Sequence, residues 1–296
     1  AFLRSKPKGP FLMVASLLNP HNICEWARGQ KLPLGPIGNP PPVDQCPPLR
    51  PNHAPQHNEP DIITLMRRSY HDTRMFPVGT FSDAKWREYE WAYYRLAEKA
   101  DAHVGAVLNA LRDSGLEEDT LVVFLSDHGD CQGAHGWNQK TVFYDEASRV
   151  PFILSHKGVL RPGKSDRLVN TGVDLIPTLC DYAGIAAPAG LPGISLRHPE
   201  LHPRRYVISA NKLVQGAPID GIKPTPSGRM LRSQQFKYCV YDQGNRRESL
   251  VDMEKDPGEM WNLAYEPRYH NVLHQHRAML REWCASTRDN FPVPAA

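Results

Sequence analysis

Thr120-Leu-Val-Val-Phe-Leu-Ser126 is a short apolar run, and it follows a stretch from Asp83 to Asp113 with helix composition. In that stretch Trp91, Tyr94, Ala97, Val104, Val107, Leu108 and Leu111 fall near a three-to-four spacing, and Ser114-Gly115 marks a stop. A long helix followed by a buried strand is half of a βαβ unit, which predicts an α/β fold with a mostly parallel sheet flanked by helices. Phe11-Leu-Met-Val-Ala-Ser-Leu-Leu18 reads as another strand buried on both faces, and Val150-Pro-Phe-Ile-Leu-Ser155 as a third. Val173 to Gly184 reads as a helix closed by glycine.

Past about Gly193 the pattern changes. Tyr206-Val-Ile-Ser, Gly228-Arg-Met-Leu-Arg, Phe236-Lys-Tyr-Cys-Val-Tyr and Ser249-Leu-Val-Asp alternate like antiparallel strands, with Asp242 to Asn245 as a hairpin turn. A helix from about Tyr269 to Thr287 closes the series. The expected organisation is an α/β catalytic domain over residues 1–193 and a small antiparallel-sheet subdomain with a packing helix over 194–296. Between Lys31 and Pro60 prolines and glycines dominate, as in irregular loops that line binding sites.

Composition narrows the function. The 296 residues are 41% hydrophobic and carry a net charge of +3, from 35 Lys plus Arg against 32 Asp plus Glu. These charges are spread without blocks, so nucleic acid is not an expected partner. No run is long and apolar enough to span a bilayer as a helix. The six cysteines contain no C-x-x-C pair, which argues against a zinc ribbon.

Chemistry concentrates after the decisive strand, in Ser126-Asp127-His128-Gly129-Asp130. Ligands of parallel α/β sheets sit at the carboxyl ends of strands, so Asp127 and His128 form a partial cation site. A carboxylate oxygen suits calcium or magnesium, and the imidazole is compatible with manganese or zinc as well. Gly133, His135, Gly136 and Lys140 follow in a glycine-rich loop, where Lys140 can present an ammonium to an anion. His21 ends the first strand candidate, placed to donate to an oxyanion or to protonate a leaving oxygen. Trp26 and Arg28, in the loop behind it, offer an aromatic face and a charge for a sugar.

Leu121 to Ile153, with Asp127-His128-Gly-Asp, Gly-Ala-His135-Gly, Lys140 and Arg149-Val-Pro151 in order, resembles the second half of the active-site sequence of the sulfatase family. Pro10 to His21 looks like that family's strand with its active-site histidine. Asp252-Met-Glu-Lys-Asp-Pro-Gly-Glu-Met-Trp-Asn-Leu263 is similar to its carboxy-terminal subdomain. The resemblance implies an alkaline-phosphatase-like fold and hydrolysis of a sulfate ester, with a saccharide sulfate as the expected substrate. It implies Asp127 and His128 as ligands of a divalent cation, usually calcium. Lys140 would bind the sulfate, His21 would bind it or serve the leaving oxygen, and His135, which matches a family position, would join Trp26 and Arg28 in binding the substrate. Phosphodiester or phosphonate monoester hydrolysis in the same superfamily, and a non-catalytic member, are the alternatives.

The family's nucleophile is a formylglycine made from Cys or Ser in C/S-x-P-x-R. Cys46-Pro-Pro-Leu-Arg50 satisfies the bare pattern but lies after the active-site histidine, in a prolyl loop without a following helix start. No nucleophile is therefore assigned here. The expectation is a carboxy-terminal portion whose formylglycine belongs to an upstream segment, inactive alone, from a parent that is periplasmic or secreted.

Overall fold

The computed structural model describes residues 1–71, 73 and 75–295. In chain order its helices are α1 (Ile23–Ala27), α2 (Asp61–His71), α3 (Asp83–Asp113), α4 (Asp145–Ser148), α5 (Thr171–Tyr182) and α6 (His270–Thr287). Its strands are β1 (Val122–Leu125), β2 (Phe152–Ser155), β3 (Tyr206–Lys212), β4 (Ser227–Ser233), β5 (Phe236–Tyr241) and β6 (Glu248–Asp252). The chain divides into two compact units that interleave along the sequence: Ala1–Leu49, Arg74–Ser126 and Pro151–Lys164 form one, and Arg50–Thr73, Asp127–Val150 and Ser165–Ala296 the other.

In the first unit, α3 has the expected bounds because Ser82 accepts a hydrogen bond from the amide of Lys85 and caps its start. Its amino-terminal half buries Trp86, Tyr89, Ala92 and Leu96 against Ile23, Cys24 and Ala27 of α1, with Leu32 and Val78. Tyr94 and Leu108, expected on the apolar face, are 43% and 37% exposed. A helix of 31 residues runs roughly 46 Å, longer than the packed core beneath it, so only part of the apolar stripe is used.

Two strand expectations are corrected. β1 and β2 pair antiparallel, Val122 opposite Ser155 and Leu125 opposite Phe152, not parallel. The chain leaves β1 into the second unit and re-enters at Pro151, and a strand that returns this way needs no crossover helix. Phe11–Leu18 forms no strand, and Leu12 and Val14 are 75% and 81% exposed. Its apolar pattern is that of a strand, but a strand exists only with a ladder partner, and none of the described residues supplies one.

The second unit keeps its predicted elements. β3-β4-β5-β6 is an antiparallel meander with the Asp242–Asn245 turn joining β5 to β6. Leu231, Tyr238, Val240 and Leu250 from the sheet bury against Leu273, Leu280 and Cys284 of α6. Arg277 on α6 forks onto Glu248 of β6, which also accepts from the Tyr238 hydroxyl, so the charged pair registers helix on sheet. On α5, Asn170 caps the first turn through the Gly172 amide, and Gly184 stands just past the last turn at φ +68.

Leu250 is wholly buried between sheet and α6. Leu250→Ala is expected to cost about 2–5 kcal/mol, read from the urea midpoint.

Candidate active site

The second unit carries the loop from Asp127 to Val150. Gly129 is pinched against the backbone: its amide donates to the Ala147 carbonyl at 2.9 Å, and a Cβ there would lie 1.9 Å from the Glu146 oxygen. This contact needs glycine and fixes where the two preceding residues stand. Asp127 Oδ1 accepts the His128 amide at 3.0 Å, and its side chain is 84% exposed. The His128 Nδ1 lies 2.8 Å from the Gly129 carbonyl, which can only accept. In the neutral ring the proton is therefore assigned to Nδ1 and the lone pair to Nε2, which is 3.4 Å from Asp127 Oδ2. An anionic oxygen and an imidazole nitrogen side by side fit part of a divalent-cation shell. Among the described residues no group of three or more His, Cys, Asp or Glu side chains gathers to complete one.

Asp130 is buried and accepts the amides of Gln132 at 2.8 Å and Gln139 at 3.0 Å, closing the loop into a tight ring. The loop's carbonyls are taken from outside by the 50–71 segment: Arg50 donates to Gln132 O, Arg67 to His135 O, and the rings of His53 and His71 meet Gly133 O and Gly136 O. Lys140 follows this ring half-buried. His135 is inside it, fully buried and stacked on Tyr144 with ring centroids 3.7 Å apart. Burial, with the Arg67 cation adding to it, pulls its pKa down to about 3, so the ring is neutral at physiological pH. Its nitrogens face the carbonyls of Ala54 and Gly258 without closing hydrogen bonds of ordinary geometry.

The far end of the loop rests on an ion cluster absent from the sequence reading. Lys237 of β5, 2% exposed, donates to Asp145 Oδ1 at 2.5 Å, Glu259 Oε1 at 2.8 Å and Phe143 O at 2.9 Å. Glu259 also accepts the Asp145 amide at 2.6 Å. Burial pushes the Glu259 carboxyl up to about 7 against the pull of Lys237. For Asp145 burial is outweighed by Lys237, which holds its carboxyl below the ordinary value. A lysine inside the otherwise apolar Phe236–Tyr241 run was the available signal.

In the first unit, His21 is exposed and its carbonyl accepts the Cys24 amide at 3.1 Å as α1 begins. Trp26 is half-buried on α1 beneath the Lys85 ammonium, 4.2 Å from the ring centroid, and lines a cleft of about 620 Å³ with Lys31, Leu32 and Glu88. Arg28 turns to Glu25 at 3.1 Å and Gln30 at 3.0 Å. Cys46 is buried, its thiol pKa raised by that burial, and its Sγ contacts the Pro41 carbonyl at 3.7 Å.

The family model described as Sulfatase matches residues 1–185, more than half of the chain. The chain belongs to the sulfatase family. A second model, described as N-sulphoglucosamine sulphohydrolase, C-terminal, matches residues 133–286. Among curated proteins the chain is 35% identical over 299 residues to a Delta 4,5-hexuronate-2-O-sulfatase of Bacteroides thetaiotaomicron, covering 98% of this chain and 60% of that one. A solved sulfatase-like structure from the same species superposes with TM-score 0.84 at 32% identity, over 100% of this chain and 64% of that one. A solved 2-O GAG sulfatase gives 0.77 at 32%, over 94% and 60%. The chain thus spans about 60% of the length of such relatives.

Lys237→Met leaves the buried Glu259 and the half-buried Asp145 carboxylates uncompensated and is expected to destabilise by about 3–5 kcal/mol in urea, whereas adding Asp145→Asn and Glu259→Gln recovers much of that loss. For His135 the folded pKa lies below the ordinary 6.5, so the unfolded chain binds the proton the fold refuses. Its stabilising contribution is complete above pH 6.5 and is lost as pH falls toward 3, by up to about 1.4 kcal/mol per pH unit. Urea midpoints of wild type and His135→Gln from pH 4 to 7 are expected to converge toward the acid end; parallel profiles contradict this.

Proposed function

We propose that this sulfatase-family protein hydrolyses a sulfate ester on an acidic saccharide, a 2-O-sulfated hexuronate being the first substrate to try. The observation that carries the reading is the pairing of the Asp127 carboxylate with the His128 Nε2 lone pair, on one loop with Lys140. The identity of 35% over nearly the whole chain to a hexuronate 2-O-sulfatase supports the substrate class.

In this reading Asp127 and His128 hold a divalent cation, calcium first among candidates, which when bound neutralises charge on the sulfuryl oxygens. Lys140 presents its ammonium to a sulfuryl oxygen and needs no proton transfer to do so. His21 holds the departing oxygen and, when protonated, supplies its proton. His135, neutral and enclosed, keeps the loop in shape by its stack on Tyr144. Trp26 offers an apolar face to the sugar, and Arg28 a charge once released from Glu25. The formylglycine of the family supplies the attacking oxygen when present, and no residue here is given that part. Cys46 is a poor candidate because its thiol is buried and lies in a prolyl loop.

The test is hydrolysis by the full-length protein of an aryl sulfate, a 2-O-sulfated unsaturated uronide and an aryl phosphodiester, with calcium and with chelator. Sulfate release that needs the cation, and that falls roughly 10²-fold or more in Asp127→Asn and Lys140→Ala, is the expected result. Preference for the phosphodiester would move the assignment to phosphodiester or phosphonate hydrolysis.

A further inference from the structure

The proline- and glycine-rich segment from Lys31 to Leu49 is long and has little regular structure, yet α3 holds it at two places. Lys99 Nζ donates to the carbonyls of Leu34, Gly35 and Pro36 at 2.8, 3.1 and 3.2 Å, and the Arg87 guanidinium donates to those of Cys46 and Pro47, both at 2.8 Å. Charge-assisted hydrogen bonds are stronger than neutral ones, so the segment is fixed from one helix. Loops of this length inside a compact unit are uncommon and are usually functional.

The fixed segment forms one wall of the cleft of about 620 Å³ in the first unit, which Trp26 lines from α1 and Lys85 and Glu88 line from α3. That volume lies within the roughly 300–1,000 Å³ of small-ligand sites. Gly35 and Gly38 line it at φ +85 and +82, a conformation that favours glycine, so there the wall is backbone rather than side chain. Among the described residues the charged lining is Lys31 and Lys85 against Glu88, which leaves the cleft net positive. Unlike a closed core position, the Lys85 side chain is 41% exposed. Its ammonium lies 4.2 Å from the centroid of the Trp26 ring and donates to Glu88 Oε2 at 3.0 Å. The ring favours a cation at that spot, whereas Glu88 is an exposed partner three residues along the same helix, which an incoming anion can replace at little cost.

Resting on the sulfatase reading, we infer that this cleft binds the carboxylate-bearing sugar of the substrate, with Lys85 as its specificity-determining cation. A 2-O-sulfated hexuronate carries two anionic groups. The sulfate is the group that reacts, so the carboxylate is the anion left to be recognised elsewhere, and an ammonium with three N–H donors meets it as a compact charge. His21, which in that reading holds the departing oxygen, precedes Trp26 by five residues in the same unit. One short piece of chain therefore serves both the departing oxygen and the cleft.

The experiment measures, by calorimetry on the full-length protein, the Kd of a desulfated hexuronate disaccharide and of the same disaccharide with its carboxylate reduced to the alcohol, for wild type, Lys85→Met and Lys85→Arg. KM is measured beside it on the 2-O-sulfated disaccharide. Wild type is expected to bind the acid about 10-fold or more tightly than the alcohol, Lys85→Met to bind the two alike, and Lys85→Arg, which keeps the charge, to retain the preference. KM is expected to rise about 10-fold in Lys85→Met. Four outcomes overturn the inference: wild type that takes up neither sugar, Lys85→Met that keeps the preference, Lys85→Arg that loses it as fully as Lys85→Met, or an unchanged KM in an active enzyme. Failure of the sulfatase reading shows separately, as wild-type protein that releases no sulfate, and the two Kd values still decide what the cleft binds.

Discussion

The second unit depends on a buried ammonium. Lys237 has three N–H donors, and it meets three acceptors, the Asp145 and Glu259 carboxylates and the Phe143 carbonyl, while almost no surface of the residue reaches water. Removing a charge from water is costly, so such a group persists only where its partners are fixed. Here each partner belongs to a different piece of chain: β5 supplies the lysine, the start of α4 supplies Asp145, and the turn before Trp261 supplies Glu259. Because Glu259 also receives the Asp145 amide, a shift of any one piece would expose a charge to apolar surroundings. The loop bearing Asp127, His128 and Lys140 is thereby anchored at its far end to a four-stranded sheet. Glu146, next to Asp145, also receives the Asn52 amide at 2.8 Å, and its own carbonyl backs Gly129. Geometry set by the sheet thus reaches Asp127 and His128 through backbone contact.

Legibility of the fold followed the locality of its causes. α3 could be bounded at its end because its stop, Ser114-Gly115, lies in the sequence beside it, and the structure adds the Ser82 cap just before Asp83. The meander was legible for the same reason: hairpin turns join strands that alternate, and β5 has its predicted limits. β1 and β2 were found as strands, but their direction was not legible. Pairing direction depends on the route of the chain between Ser126 and Pro151, and apolar content does not encode a route. Phe11–Leu18 makes the same point from the other side, since apolarity marks a segment fit for a buried strand while pairing requires a neighbour.

The candidate site was legible where residue chemistry is enough and opaque where burial decides. Asp127, His128 and Lys140 stand in one loop, as their spacing suggested, and the loop is closed by Asp130. Lys237, Asp145 and Glu259 lie 92 and 22 residues from one another along the chain, so no local pattern joins them. Arg28 pairs with Glu25, three residues earlier on the same turn, as the charges in that loop suggested. A local ion pair of this kind is weak in water, so its presence in the resting protein costs little to undo.

Two histidines seven residues apart show how strongly surroundings divide one side chain into two chemical states. His128 keeps its ring partly in solvent, with Nδ1 turned to its own backbone and Nε2 beside a carboxylate. That arrangement is electrically able to meet a cation, because the acid next to it adds negative potential. His135 is enclosed, has Arg67 near it and stacks on Tyr144. A cation beside a buried imidazole disfavours a second positive charge, so protonation is resisted twice over. The same residue type therefore stands half-exposed beside a carboxylate at the loop's mouth and as an uncharged plate at its centre.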